Sequence, residues 1–422
     1  MPLRIAITTL GCKVNRADAD QLLSRLGDLQ PVQVPFDRPA DVYIINSCTV
    51  TGTADRQSRQ LVHRARRASP TARVYLTGCL AALERGSVGL DGELDGVYPL
   101  ARHGELVAQI RAIARTGSGR EGLALEPRAR PFVKVQDGCD EACRYCIVPV
   151  VRGPSRSTRM PGEIRAALAV LAGRGFHEAV LTGIHLGRYG LDLDPPWSLT
   201  GLLASLVEPP VVHRLRLSSL EPLEIEPGLV ELLATHPDRL CPHLHVPIQS
   251  GDDGVLAAMG RPYRVAQIHD LLHQLRRRLP DAALGTDLIA GYPGETEAQH
   301  RASLELVETS TLTHLHVFPY SRRPGTPAAE LSQLDGGTIR NRARALRRAG
   351  RERLRAFAEG QLGRVREVLV ERQLDKKVLL ALTDNYVRVR LEGPAEWIRR
   401  PVPVELCELE PGAEVVVRGR AV

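Results

Sequence analysis

Short apolar runs alternate with helix-like segments along the first part of the chain. Three runs, Arg4–Thr9, Val42–Asn46 and Arg73–Thr77, predict strands, and apolar positions at helical spacing in Ala17–Leu26 and Ala54–Ala68 predict helices between them. Alternation of strand and helix is typical of a parallel sheet covered by helices. We therefore expect residues 1–115 to form a small α/β domain.

The same alternation resumes after residues 116–130, where the Gly- and Arg-rich segment Thr116–Gly122 indicates a linker. Helical patterns such as Gly162–Ala172 and Val265–Arg278 separate six apolar runs. The six runs are Phe132–Val135, Glu178–Leu181, Arg214–Leu217, His243–Val246, Ala283–Ile289 and His314–Phe318. A full eight-stranded barrel takes about 250 residues. The segment is shorter, so we expect an open, partial (βα)6 barrel.

The C-terminal part follows a different pattern. An Arg-dense helix predicted over Ile339–Phe357 completes a central domain of residues 131–359. Polar or Gly/Pro turns separate the β-like runs of residues 360–422, which are Val365–Val370, Val378–Leu382, Tyr386–Leu391 and Glu414–Val417. These runs predict a small antiparallel β-barrel. The fold class is α/β with an added β-barrel.

Composition places the 422-residue chain among globular proteins, with 43% hydrophobic and 25% charged residues. No apolar run approaches the ~18 residues of a membrane-spanning helix, and the first residues lack a signal-peptide core. We therefore expect a cytoplasmic protein that does not bind membranes. A formal net charge of +7 favours a polyanionic partner without requiring one.

Three of the eight cysteines form a compact motif, Cys139, Cys143 and Cys146. The C-x3-C-x2-C spacing lets three thiolates wrap one metal centre, and it leaves one iron of a four-iron cluster open to another ligand. Zinc is the alternative, but structural zinc uses four protein ligands, and no second pair of cysteines follows nearby. Cys241 and Cys407 stand alone, and we interpret both as structural.

Three further cysteines, Cys12, Cys48 and Cys79, each come directly after a predicted strand of the N-terminal sheet. Because the carboxyl ends of neighbouring parallel strands converge on one crevice, we expect these thiols to meet and to hold a second cluster. The alternative is that all three are small buried core residues. That alternative does not predict their shared position relative to the strands.

The cysteine motif of the central domain resembles the radical S-adenosylmethionine (SAM) superfamily, as do the strand ends Thr182–His185, Arg216–Glu221 and Asp287–Thr296. The whole chain resembles the radical SAM methylthiotransferases through Leu-Gly-Cys-Lys-Val-Asn at residues 10–15, Asn-Ser-Cys-Thr-Val-Thr at 46–51 and Gly-Cys-Leu-Ala at 78–81. These motifs are most similar to the branch that acts on N6-threonylcarbamoyladenosine in tRNA. The isopentenyladenosine branch more typically carries Phe-Gly-Cys-Gln-Met-Asn.

The resemblance implies two 4Fe–4S clusters, one held by each set of three cysteines, and SAM as cosubstrate. It implies insertion of a methylthio group at C2 of the adenine next to the anticodon. The implied partners are tRNA, an electron donor of the flavodoxin or ferredoxin type, and a sulfur donor. The rival functions are the same chemistry on isopentenyladenosine, and an iron–sulfur protein that binds RNA or senses redox state without turnover.

The resemblance also implies roles for single residues. The expected cofactor-binding residues are Tyr145, Gly183, Ser218, Glu221 and Gly291. The tail resembles the TRAM module, a small RNA-binding barrel, and the candidate RNA-binding residues are Arg152, Arg156, Arg322, Arg323, Arg388 and Arg390. A core aromatic explains Tyr145 equally well, and a solvated surface explains any one of the arginines.

Overall fold

The computed structural model describes residues 2–83, 89–90, 92–114 and 128–422, so the predicted linker Thr116–Gly122 lies outside the described residues. The N-terminal strands are β1 (Arg4–Thr9), β2 (Val32–Gln33), β3 (Val42–Ser47), β4 (Arg73–Gly78) and β5 (Gly96–Tyr98). They form one sheet in the order β2-β1-β3-β4-β5, and every pairing in it is parallel. The sequence predicted β1, β3 and β4 but not the short strands at the two edges.

Helices cover both faces of this sheet: α1 (Lys13–Ser24), α2 (Gly52–Ala68) and α3 (His103–Ala114). Alternate residues of β3 point to opposite faces, so Tyr43 packs with α2 and Ile44 packs with α1 and α3. Burial on both faces explains why β3 is a continuous apolar run and not an alternating one.

The central domain contains six parallel strands: β6 (Phe132–Lys134), β9 (Glu178–Thr182), β10 (Arg214–Leu217), β11 (His243–His245), β12 (Ala283–Ala290) and β13 (His314–Pro319). A short antiparallel pair, β7 (Gln136–Asp137) and β8 (Arg156–Ser157), follows β6. The arc β6-β9-β10 joins the arc β11-β12-β13 through a bridge between Ser219 and His245. The result is the expected open (βα)6 barrel.

The helices of this domain are α4 (Val148–Arg152), α5 (Pro161–Gly173), α6 (Leu199–Val207), α7 (Pro227–Thr235), α8 (Asp253–Met259), α9 (Val265–Arg278), α10 (Glu297–Thr309) and α11 (Gly336–Glu359). Leu215 and Leu217 of β10 join the largest apolar core of the domain, while the alternating Arg214 and Arg216 bind the Glu178 carboxylate of β9. The lumen of the barrel is therefore polar.

The tail forms a closed barrel of β14 (Val365–Asp375), β15 (Val378–Thr383), β16 (Arg388–Glu392), β17 (Pro401–Leu409) and β18 (Val417–Ala421). The sequence missed β17 and placed the last strand a few residues early. The expectation of a wholly antiparallel barrel is wrong in one pairing, because β16 and β18 run parallel. Among the described residues, we find no helix with the length and apolar character needed to span a bilayer.

The tail barrel also closes the floor of the central barrel. The Tyr386 ring stacks on His243 with 4.3 Å between ring centroids, and its carbonyl oxygen lies 3.1 Å from Nε2 of His314. Arg216 donates to the carbonyl oxygen of Asp384 at 2.9 Å, so the buried pair with Glu178 also ties the two barrels together.

Candidate active site

The three N-terminal cysteines converge at the carboxyl edge of the sheet. Cys12, Cys48 and Cys79 follow β1, β3 and β4, which are neighbours in the sheet. Gly11 adopts φ +89°, and a Cβ placed there would lie 2.9 Å from Sγ of Cys48. Only glycine therefore lets the Cys12 loop approach Cys48 this closely.

The second cysteine set occupies the loop between β7 and α4 at the mouth of the barrel. Gly138 begins this loop with φ +72°, and a Cβ there would lie 1.9 Å from the carbonyl oxygen of Pro154. Sγ of Cys139 lies 3.5 Å from Nδ1 of His185, and Sγ of Cys143 accepts a hydrogen bond from Arg261 at 3.2 Å. Side chains of the barrel therefore hold two of the three sulfurs.

Both sets fit an iron–sulfur cluster better than a single zinc ion. Zinc draws its sulfur ligands together with bonds of about 2.3 Å. Within the described parts of the chain, neither set brings its three sulfurs within 4.8 Å of one another. The one group of possible metal ligands that meets this distance there is His245, Asp287 and His316, which contains no cysteine. The sulfurs of each set therefore lie too far apart to share one zinc ion.

Burial keeps Cys48 and Cys146 protonated until a metal replaces the protons. Burial raises the pKa of Cys48 to about 12, and the nearby Cys79 adds to the shift. Burial likewise raises the pKa of Cys146 to about 12. Metal ligation deprotonates thiols because the cation supplies the missing positive charge. The chemistry of these sulfurs therefore depends on the bound cluster.

His185 and Glu224 form an ion pair against the first cysteine of the motif. Nε2 of His185 lies 2.8 Å from the Glu224 carboxylate. Burial by itself lowers the pKa of His185, but Cys139 and Glu224 outweigh it and raise this pKa to about 10. His185 is therefore cationic and faces Sγ of Cys139. The sequence contained His185 at a predicted strand end, but nothing indicated its contact with Cys139.

Glu221 reaches the cysteine motif through Arg261. Its carboxylate forms an ion pair with Arg261, which also binds Cys143. Burial raises the pKa of Glu221. Sequence analysis missed Arg261, since an arginine just after a helix is ordinarily a surface residue and its burial results from long-range packing.

The remaining predicted cofactor residues divide into two groups. Tyr145 packs near Tyr292 and Tyr320, and the backbone N–H of Gly183 donates to Oγ of the buried Ser218 at 3.3 Å. Gly183 and Ser218 directly follow β9 and β10, and Tyr145 lies within the cysteine motif. Gly291 does not belong with them.

Gly291 instead faces helix α11. It adopts φ +77°, and a Cβ there would lie 2.7 Å from Cγ1 of Ile339. Helix packing therefore explains this glycine, and we do not retain it as a cofactor contact.

Helix α4 connects the two cysteine sets. It begins two residues after Cys146, and Ile147 and Val151 pack against Cys79. At its end, Arg152 donates to Asp18 at 2.9 Å and to Asp137 at 3.1 Å. The Arg152 side chain is only 1% exposed. We therefore correct its predicted role, because a buried guanidinium that is paired with two carboxylates belongs to the domain interface and not to an RNA surface.

Arg323 also lies in the domain interface. It donates to Asp55 at 2.6 Å and to the carbonyl oxygen of Thr49 at 3.2 Å, while Oγ of Ser321 accepts from the N–H of Gly52. The loop after β13 thus holds the N-terminal sheet over the barrel mouth. Because Arg323 is paired with Asp55 in this interface, we also correct its predicted role in RNA binding.

A cavity of about 180 Å³ lies between the two domains at this mouth. Its walls come from the loop after Cys48, the cysteine motif and the ends of β12 and β13. The lining residues are Val50, Thr51, Tyr145, Cys146, Ile147, Gln249, Asp287, Ile289, Phe318, Pro319, Tyr320 and Ser321. The apolar walls and the single carboxylate suit a flat, mostly uncharged ring.

The other candidate RNA-binding arginines lie at the surface. Arg322 is exposed beside the barrel mouth. Arg156 is 45% exposed and pairs with Asp137. Arg388 and Arg390 project from the tail barrel, where each contacts a glutamate of the same module. All four are accessible to a polyanion.

Two family models match the chain. One is described as Uncharacterized protein family UPF0004 and matches residues 4–95, and the Radical SAM superfamily matches residues 133–307. Among solved structures, the radical SAM methyltransferase TsrM from Kitasatospora setae is 16% identical, with a TM-score of 0.56 over 78% of this chain and 75% of that chain. This likeness shows a shared fold.

Relatives named threonylcarbamoyladenosine tRNA methylthiotransferase MtaB are similar over most of the chain. The one from Bacillus subtilis is 34% identical over 96% of this chain and 94% of its own length, and the one from Thermotoga maritima is 33% identical over 92% and 91%. A tRNA-2-methylthio-N(6)-dimethylallyladenosine synthase from Parafrankia is 32% identical over 86% and 77%. The chain therefore belongs to the radical SAM methylthiotransferases, enzymes that use S-adenosylmethionine and 4Fe–4S clusters.

Proposed function

We propose that this enzyme inserts a methylthio group at C2 of N6-threonylcarbamoyladenosine, next to the anticodon of tRNA. The observation that carries the proposal is the cavity at the barrel mouth, which is lined both by Cys146 of one cysteine set and by the loop after Cys48 of the other. The MtaB relatives, which cover more than nine-tenths of the chain, support this choice of substrate.

We propose that Cys139, Cys143 and Cys146 hold one cluster and that Cys12, Cys48 and Cys79 hold the other. When bound, the clusters supply the electron that cleaves SAM and the site that carries the sulfur to be methylated. An aromatic C–H is too weak an acid for a side-chain base at neutral pH, so such a cofactor is needed.

The side chains of the protein position the reacting groups. His185 and Arg261 hold the sulfurs of Cys139 and Cys143, and Glu221 fixes Arg261. We propose that Gly183, Ser218 and Glu221 bind SAM along the strand ends and that Tyr145 covers it. The apolar cavity walls exclude water, which protects a radical from side reactions.

The tail is proposed to act as a TRAM-like RNA-binding module. Its closed five-stranded barrel exposes Arg388 and Arg390, while Arg322 and Arg156 are exposed on the central domain. Phosphate contacts of this kind position an RNA without reading its sequence. A protein with this activity works in the cytoplasm, with a flavodoxin- or ferredoxin-type reductant and a sulfur donor.

Nucleoside mass spectrometry after reaction with defined RNAs tests the proposal. Reconstituted protein, SAM and a reductant are incubated with an anticodon stem-loop that carries threonylcarbamoyladenosine, or with one that carries isopentenyladenosine. We expect the methylthio product from the first RNA only. A product from the second RNA alone would move the enzyme to the dimethylallyl branch. SAM cleavage without any methylthio product would refute the assignment of both substrates.

A further inference from the structure

A basic cavity of about 440 Å³ opens where the N-terminal sheet, the central barrel and the tail meet. Cations from α1, from the segment before β6, from β10 and from β14 line it, against the single carboxylate of Glu371. Three of its six cations have a carboxylate partner. Arg216 binds Glu178, Arg130 binds Glu371, and Arg128 lies 3.3 Å from Asp20.

Lys13, like Arg16 and Arg372 of the same cavity, differs from these three. It is half-buried, and in the described part of the chain its ammonium group makes neither a hydrogen bond nor an ion pair. Arg216 and Arg130 lie close enough to repel its charge, and Asp287 lies close enough to attract it. A cation held in a protein interior without a bonded anion is poised to accept one from a ligand.

The position of Lys13 connects the basic cavity to the proposed reaction site. Lys13 follows the cluster ligand Cys12 directly in sequence and begins α1. Asp287, whose charge acts on Lys13, also lines the cavity between the two cysteine sets. We therefore expect a group that projects from a base in that cavity toward the lumen to approach Lys13 and the cationic walls around it.

We propose that Lys13 binds the carboxylate of the threonylcarbamoyl group and so determines the specificity for an anionic substituent on N6 of the adenine. This inference rests on the proposed function. Asp287, which accepts hydrogen bonds from His245 and His316, disfavours a carboxylate on its own side of the lumen. The carboxylate is thereby directed to Lys13, while an uncharged alkyl substituent gains nothing there.

Two RNAs that differ in one charge test the role of Lys13. Both are anticodon stem-loops, one with threonylcarbamoyladenosine and the other with its threoninamide counterpart, in which a neutral carboxamide replaces the carboxylate. With reconstituted wild-type enzyme, kcat/KM for the amide should be about 10- to 100-fold lower, as expected for loss of a charge-assisted hydrogen bond. Lys13→Gln should bring the ratio of the two values close to one.

Arg16→Gln is the matched control, because Arg16 lies one helical turn further along α1. Its charge acts on Asp20 and Arg128, at the outer end of the cavity. This variant should raise KM by about two- to fivefold for both RNAs and leave their ratio unchanged. A ratio that changes as much in Arg16→Gln as in Lys13→Gln would overturn the assignment to Lys13.

Equilibrium binding separates this inference from the reaction itself. The dissociation constants of the two RNAs are measured by fluorescence anisotropy with the reconstituted protein, without SAM. A wild-type preference for the carboxylate that disappears in Lys13→Gln supports the inference even if no methylthio product forms. Turnover of threonylcarbamoyladenosine with equal affinity for both RNAs would overturn it and leave the proposed function standing.

Discussion

Replacing Arg152 by methionine removes the cation from the buried interface between the N-terminal sheet and the barrel. The side chains of Arg152, Asp18 and Asp137 are 1%, 3% and 2% exposed, so water screens none of them. The variant preserves the bulk of the side chain but removes one of the positive charges that neutralise the two buried carboxylates. The destabilisation should therefore arise from electrostatics and not from a cavity.

The cost follows from what remains around the two carboxylates. Removing one partner of a buried ion pair typically costs about 3–5 kcal/mol. Lys134 also pairs with Asp18 and Asp137 and stays in place. We therefore expect the lower end of that range, about 3 kcal/mol. Combining Arg152→Met with Asp18→Asn should recover about 1–2 kcal/mol, because the double variant leaves one fewer unpaired charge.

Urea denaturation of the metal-free protein, followed by far-UV circular dichroism under reducing conditions, measures these values. Arg156→Met is the matched control, since Arg156 follows Arg152 by four residues and pairs with the same Asp137 but is 45% exposed. It should cost less than about 1 kcal/mol. Equal costs for the two variants, or additivity of Arg152→Met and Asp18→Asn, would refute the reasoning.

Three further outcomes are expected. Cys143→Ala should abolish formation of 5′-deoxyadenosine, whereas Cys12→Ala should retain it and lose methylthiolation, as chromatography of the reaction products measures. Arg323→Ala removes the ion pair with Asp55, so the N-terminal sheet is less firmly held over the barrel mouth. The amount of 5′-deoxyadenosine formed per methylthio product should therefore rise. Burial lowers the pKa of His103 from 6.5 to about 4, so the unfolded chain binds the proton more tightly than the folded chain. The free energy of unfolding should therefore decrease by about 3 kcal/mol as the pH falls from 6.5 to 4, as acid unfolding measures.

Each of these outcomes has a control. Cys407→Ala changes an exposed cysteine of the tail and should leave both products unchanged. An unchanged product ratio in Arg323→Ala would show that the interface does not couple the two half-reactions. His103→Gln should flatten the pH dependence of stability between pH 6.5 and 4, and a slope as steep as that of the wild type would assign the titration to another group.

The convergence of the cysteines was predictable because it depends on local order. A residue that directly follows a parallel strand lies at the carboxyl edge of the sheet, whatever the rest of the chain does. Cys12, Cys48 and Cys79 share that position, since each follows one of three neighbouring strands of the sheet. The six strands of the barrel were predictable for the same reason, since each is an apolar run bounded by turns.

The roles of the arginines were not predictable, because burial of an arginine depends on contacts between distant segments. Arg152 meets Asp18 across 134 positions of sequence, and Arg323 meets Asp55 across 268. A local pattern shows only an arginine near a loop, which is ordinarily solvated. Arg261 was missed in the same way. The strand β17 was missed because its prolines and charged residues weaken the β-strand pattern.

The floor of the central barrel has a consequence for how such enzymes diversify. Tyr386 and the carbonyl of Asp384 belong to the tail, yet they complete the lumen of another domain. An enzyme of this family that lost the tail would lose its basic strands. It would also expose to solvent His243, which stacks on Tyr386, and the buried Glu178. Replacement of the module is therefore constrained at the turn between β15 and β16, while the opposite rim of the small barrel is free to change its recognition of partners.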